Sequence, residues 1–225
     1  MFTLKSYLEK LSNPIGGAEV KIKYGQTSYN SIRICNTDIA WTYVGVTHEY
    51  VMSNTPNTET VVIPYKTAAD TFILHDLSNF DYEKKKKRWA LDAQLLYQDL
   101  VNNPTNTRSA FYLAQSYDCL DDLVNAYKYY NLRYEMGGWY EERYESLVRM
   151  GGLLERMGYD WPQCEYQYLQ AYSFLPIRSE PLYLIAKHWY EEKMYDVAFL
   201  FASRAYQIPF PTQIRLFINQ DIYSF

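Results

Sequence analysis

Four alanines constrain this chain more than anything else in it. Ala114 and Ala126 stand 12 residues apart, Ala186 and Ala198 stand 12 apart again, and an aromatic follows the first of each pair by three residues, as Tyr117 and Trp189. A helix lies close against an antiparallel partner where both carry small side chains, and an aromatic beside the contact fills the gap they leave. The matching alanines lie 72 residues apart, so one further helix pair of about 36 residues fits between them, close to the usual period of one helical repeat class. SAFYLAQSYDCLDDLVNAYKYYNLR is one unit and PLYLIAKHWYEEKMYDVAFLFASRAYQIPFP another. Between them YESLVRMGGLLERMGYDWPQCEYQYLQAYSFLP supplies the third, its first helix departing from the pattern.

Helix-start residues agree with these boundaries. Asn106 or Thr107, and Ser179 with Pro181 just behind it, are the residue types that open helices. A further helix from Glu83 to Asn102 and a final one after Pro211 would close the two ends of the array. This is the tetratricopeptide pattern, in which helix pairs stack into a superhelix. The chain reads differently ahead of residue 78. EVKIKY, SIRIC, WTYVGVTHEYV, ETVVIPY and DTFILH read as five strands, separated by the turn-rich pieces YGQTSYN, CNTD and MSNTPNT. Phe2 to Leu11 reads as a short amphipathic helix stopped by NPIGG. The organisation is therefore a β-rich domain over 1–78 and a repeat domain over 79–225, with about three repeats plus flanking helices.

Composition excludes several classes. With 48% apolar and 21% charged residues, the 225-residue chain can bury a substantial core. A net charge of -4 gives no general attraction to phosphate backbones, so nucleic acid is not expected as a partner. The apolar runs are too short for a membrane span, and the charges within MFTLKSYLEKL do not suit a targeting core. Cys35, Cys119 and Cys164 are scattered and form no CxxC pair, which fits a reducing compartment, a cytoplasmic location and no zinc site. The 25 tyrosines suit both helix packing and contacts to peptide or sugar, and do not choose between them.

WTYVGVTHEY, DTFILHD, KKKKRWALDAQLLYQDLVNNPTNTRSAFYLAQSY and YLQAYSFLPIRSEPLYLIA, in that order, resemble the C-terminal part of family-two, GT-A type glycosyltransferases fused to tetratricopeptide repeats, as found in bacteria and large DNA viruses. The fold this implies is mainly α: a tetratricopeptide-like α-helical superhelix preceded by a small β-rich remnant of a GT-A domain. The resemblance implies acceptor-side strands, with His75 and His48 as metal ligands and Glu49 as catalytic base. The donor-binding half of such enzymes is missing here. No two aspartates stand two apart to hold Mn or Mg on a diphosphate, and no glycine-rich phosphate loop follows an early strand. No cofactor is expected for this chain alone, and Mn or Mg with a nucleotide sugar only where another chain supplies that half. The implied function is the acceptor-side and repeat portion of a glycosyltransferase, its partners a protein or glycan acceptor and a chain carrying the donor half. The alternative is a noncatalytic tetratricopeptide-repeat scaffold for protein–protein interaction, self-sufficient because stacked neighbours bury its core.

The individual residues carry plainer readings too. If Val44 to Val51 is one strand, His48 shares a face with Val46 and Tyr50, while Glu49 faces the other way, so the two cannot share a site. A strand histidine is readily hydrogen-bonded structure, and Glu49 readily pairs with Arg33 on a neighbouring strand. His75 ends a strand, where sites gather in open α/β sheets. Trp139, Tyr140, Glu141, Glu142 and Tyr144, from GGWYEERYE at the turn into a repeat, are candidates to line an acceptor or partner groove, though aromatics at repeat spacing also make core. Lys84 to Arg88 oppose the dipole of the helix they open and read as a solvated face. His188, beside Trp189, reads as packing.

Overall fold

The structure, a computed structural model, describes residues 7, 9–10, 15–24, 27–63, 72–75, 81–212 and 216–223. The helix expected over 2–11 falls almost wholly outside them. The chain divides into two compact units, Met1–Phe80 and Asp81–Phe225.

Among the described residues the first unit contains the strands β1 (Gly17–Tyr24), β2 (Thr27–Cys35), β3 (Trp41–Val44), β4 (Tyr50–Ser53), β5 (Thr60–Val62) and β6 (Phe72–His75). β1 pairs antiparallel with β2, from Gly17 opposite Cys35 to Tyr24 opposite Thr27. Its other edge receives two parallel strands in succession, β5 against Gly17–Glu19 and β6 against Lys21–Tyr24. Ala18, Val20 and Ile22 alternate inward and are buried, as the two-residue period of a strand requires. Ala18 and Val20 pack with Ile63, Ile34 and Val61.

β3 and β4 form a separate hairpin, with Trp41 opposite Ser53 and Val44 opposite Tyr50. This corrects the reading of WTYVGVTHEYV as one strand. Gly45 at φ 114° and His48 at φ 51° turn the chain back between the two strands, in a backbone region that glycine enters freely and histidine more often than most residues. The alternation of faces expected through His48 and Glu49 is therefore broken.

The second unit contains, among the described residues, α1 (Tyr82–Asn102), α2 (Thr107–Cys119), α3 (Leu123–Glu135), α4 (Tyr140–Arg156), α5 (Trp161–Phe174), α6 (Glu180–Glu191) and α7 (Tyr195–Tyr206). Each packs chiefly on the helix before and after it, the nearest-neighbour arrangement of a repeat array. Side-chain caps start the first three: Asp81 accepts from the Lys84 N–H, Asn106 from Ser109 and Asp122 from Asn125. Prolines stand in the first turns of α5 and α6. The alanines that define the repeat are buried: Ala114 and Ala126 between α2 and α3, Ala186 and Ala198 between α6 and α7. In the divergent middle unit Gly151 takes the equivalent place on α4, where the Tyr168 ring of α5 lies so close that a Cβ would fall 2.5 Å from it.

The helix expected after Pro211 is not formed in the described residues. Leu216 to Tyr223 instead make an extended pair, Ile218–Asn219, and one 3-10 turn, Gln220–Tyr223. Leu216, Ile218 and Ile222 are buried. Side chains of the repeat helices take backbone groups of this strap that a helix would have kept for itself.

Candidate functional site

α3, α4 and α5 enclose a groove of about 860 Å³. One wall is a row on α3, Val124, Tyr127, Asn131 and Tyr134, spaced so that all face one side of the helix. Gln163, Tyr166, Gln167 and Gln170 make the facing row on α5, and Leu147, Met150 and Leu154 of α4 form an apolar floor. Asn131 donates to Glu135 at 2.9 Å, Gln170 to the Tyr166 hydroxyl at 3.2 Å, and Gln167 to the Leu147 carbonyl at 3.4 Å. Burial raises the Tyr127 phenol above its ordinary value and the Tyr159 phenol adds to the push, so this wall group stays a neutral donor at physiological pH. Amides offer donor and acceptor together, as a peptide backbone does. The groove can therefore hold an extended segment, pairing its amides along the walls and burying its side chains on the floor.

The residues expected to line a partner groove do not line this one. Trp139 and Tyr140 are partly exposed at the start of α4, whereas Glu141, Glu142 and Tyr144 are 3%, 3% and 0% exposed and belong to the interior. Glu142 accepts from Arg133 Nε at 2.8 Å, and Arg133 gives its other donors to the carbonyls of Gly137 and Trp139 at 2.6 and 3.1 Å. The guanidinium thus ties α3 to the start of α4 and fixes the Gly137–Gly138 turn, both of whose glycines have positive φ. Burial pushes the Glu142 carboxyl above its usual value, and the Arg133 hydrogen bond and charge pull it back only in part. Glu141 and Tyr144 face the strap. Glu141 Oε2 accepts the Leu216 N–H at 2.7 Å, and Tyr144 donates to Glu180 at 3.2 Å.

The residues expected to bind metal and act as base lie in the first unit. His48 and Glu49 are exposed on the β3–β4 turn. His75 ends β6, its backbone opposite Tyr24, and its side chain lies outside the described residues. Among the described residues no three of His, Cys, Asp and Glu gather to hold an ion. His188 stacks on Trp161 with ring centroids 3.4 Å apart, the packing role read from sequence. Lys84, Lys86, Lys87 and Arg88 are exposed along the first turns of α1.

Fold and groove together define a tetratricopeptide-like helical-repeat protein. No protein-family model matches the chain, and no curated protein does. Among solved structures, MamA MSR-1 C2 is 17% identical and aligns over 60% of this chain and 80% of its own at a TM-score of 0.45. MamA AMB-1 P212121 is 18% identical over 60% of this chain and 82% of its own, at 0.44. Those values are low, and the assignment of fold rests on the helix pairs themselves. Among the described residues no helix is long and apolar enough to cross a membrane.

Proposed function

We propose that the second unit is a noncatalytic helical-repeat module that holds an extended, uncharged peptide segment of a partner protein between α3, α4 and α5. One observation carries this: two facing rows of amides and tyrosines above an apolar floor. Stacked helix pairs offer long surfaces of this kind, and phenols and amides combine contact area with adaptable hydrogen bonds.

The test is to select peptides from a random displayed library on the full chain and then vary the groove. Tyr166 is 64% exposed, so Tyr166→Ala should leave stability within about 0.5 kcal/mol. Selected peptides are expected to lose roughly tenfold or more in affinity, about 1.4 kcal/mol, on Tyr166→Ala and on Gln170→Ala. They should bind unchanged to Phe199→Ser, a change on α7 outside the groove. Peptides indifferent to both groove substitutions would end this reading.

Sugar transfer is the weaker reading. Its candidate base and one candidate ligand stand on an exposed hairpin turn, and the Asp-x-Asp pair is missing from the sequence. Titration calorimetry of the full chain with Mn and nucleotide diphosphate sugars is expected to give no heat. A saturable signal would restore it.

A further inference from the structure

Three buried charges of the second unit, Glu141, Arg178 and Glu180, converge on the strap. Glu141, at the start of α4, accepts the Leu216 N–H at 2.7 Å. Arg178, just ahead of α6, donates to the Leu216 carbonyl at 3.4 Å and the Phe217 carbonyl at 2.9 Å. Glu180 clamps that guanidinium, with the pair 2.5 Å apart at its closest, and also accepts the Tyr223 hydroxyl at 2.8 Å. The same hydroxyl takes the Ser179 N–H at 3.1 Å. Phe217 stacks on Phe111 of α2, its ring inclined by 19°. The seat thus draws on α2, α4 and α6, the first helix of each repeat.

What these groups recognise is informative. Glu141 and Arg178 bond the backbone of the strap. They read three backbone groups of two consecutive residues, Leu216 and Phe217, at a bend where Phe217 has φ 34°. Specificity comes from elsewhere: pockets for Leu216, Ile218 and Ile222, the Phe111 ring, and Glu180 waiting for a phenol. A charged residue kept buried to bond the backbone of a distant segment costs desolvation whenever that segment leaves, so the seat strongly favours being filled.

The structure assigns a second ligand site: the seat of Glu141, Arg178, Glu180 and Phe111 is a peptide receptor that the chain fills with its own residues Leu216 to Tyr223. Its ligand class is a peptide reading apolar, aromatic, apolar, three residues of any kind, apolar, tyrosine, its last four residues folded into a 3-10 turn. The strap competes with such a peptide in trans and holds the seat closed until one arrives. The site is separate from the groove of α3, α4 and α5, and either stands if the other falls.

The probe is a fluorescent peptide of sequence LFINQDIY, mixed with the full chain and followed by anisotropy. Wild type is expected to bind it weakly. A full chain carrying Phe217→Ala with Tyr223→Phe, whose strap has lost its stack and its phenol, is expected to bind at least about tenfold tighter. Adding Glu141→Gln to that variant should reverse the gain, because an amide presents one acceptor oxygen without the charge. Groove substitution Tyr166→Ala should leave all three affinities unchanged. Sedimentation of wild type at the same concentrations identifies the source of the natural ligand: a dimer means a second copy, a monomer another protein. The site is refuted if the strap-weakened chain keeps its helical circular dichroism yet takes no peptide, or if Glu141→Gln leaves uptake intact. Loss of helical signal on weakening the strap would also refute it, since the segment would then be part of the fold and not a ligand.

Discussion

Gly151 shows how much a single position decides in a stacked array. It lies 37 residues after Ala114 and 35 before Ala186, so the spacing of the flanking repeats places a small residue there, and the MGGLLERM segment that breaks the pattern by composition keeps it by size. Its neighbour Gly152 faces only the Tyr168 hydroxyl, 3.6 Å from where a Cβ would stand. Glycine in a helix interior costs about 1 kcal/mol relative to alanine, so Gly152→Ala should stabilise by up to about 1 kcal/mol. Gly151→Ala makes the same backbone gain but drives a methyl into a ring that is 2% exposed and cannot swing away. Overpacking of this kind costs about 1–3 kcal/mol. Denaturant unfolding of the two variants should therefore move in opposite directions, and equal shifts would mean the Tyr168 ring yields.

At the scale of elements, helices and strands were legible in unequal measure. The repeat helices announce themselves through alanine spacing, capping residues and proline, all local signals. The hairpin was hidden because Gly45 sits inside a β-branched, aromatic run, and the positive φ of His48 leaves no trace in composition. Arg133 was legible in principle: seven residues after Ala126 it stands where the third repeat has Ala205, seven after Ala198. A bulky cation at a small-residue position calls for a buried acid, and Glu142 at the start of the next helix provides it. That pair joins α3 to α4, and removing one partner leaves a buried charge uncompensated, at about 3–5 kcal/mol. Arg133→Met should cost that much. Acid dependence carries a further signature. The carboxyl of Glu142 is raised in the folded chain, so it takes up its proton at a higher pH than in the unfolded chain. Its contribution is then fully present below the unfolded carboxyl's range and is lost as pH rises through the raised folded value. The unfolding free energy of wild type minus that of Glu142→Gln should therefore grow as pH is lowered from 7. A difference that shrinks on acidification would show the ion pair, not burial, in control.

The repeat unit is chiefly a one-dimensional stack, and the strap is its longest-range tie among the described residues. Helices that pack chiefly on their sequence neighbours give a stability that largely sums over neighbouring pairs, so such an array can unfold from its ends. The strap changes this, because Leu216 is bonded to Glu141 across 75 residues while Phe217 rests on α2 and Tyr223 on the start of α6. No local pattern encodes a contact of that span, which is why the buried acids of GGWYEERYE read from sequence as groove residues. The amide row of α5 went unnoticed for a different reason: Gln163, Gln167 and Gln170 look like any solvated helix face until α3 is set opposite. Leu216→Ala tests the tie. Leu216 is 8% exposed, and truncating a buried leucine costs about 2–5 kcal/mol. If the strap couples the repeats, that loss should not fall evenly. Native-state hydrogen exchange should show the amides of α2 to α7 opening together in wild type, whereas in Leu216→Ala those of α6 and α7 open at lower free energy than those of α2 and α3. Uniform acceleration across all helices would mean that the stack is cooperative without its strap, and that neighbour contacts alone set its stability.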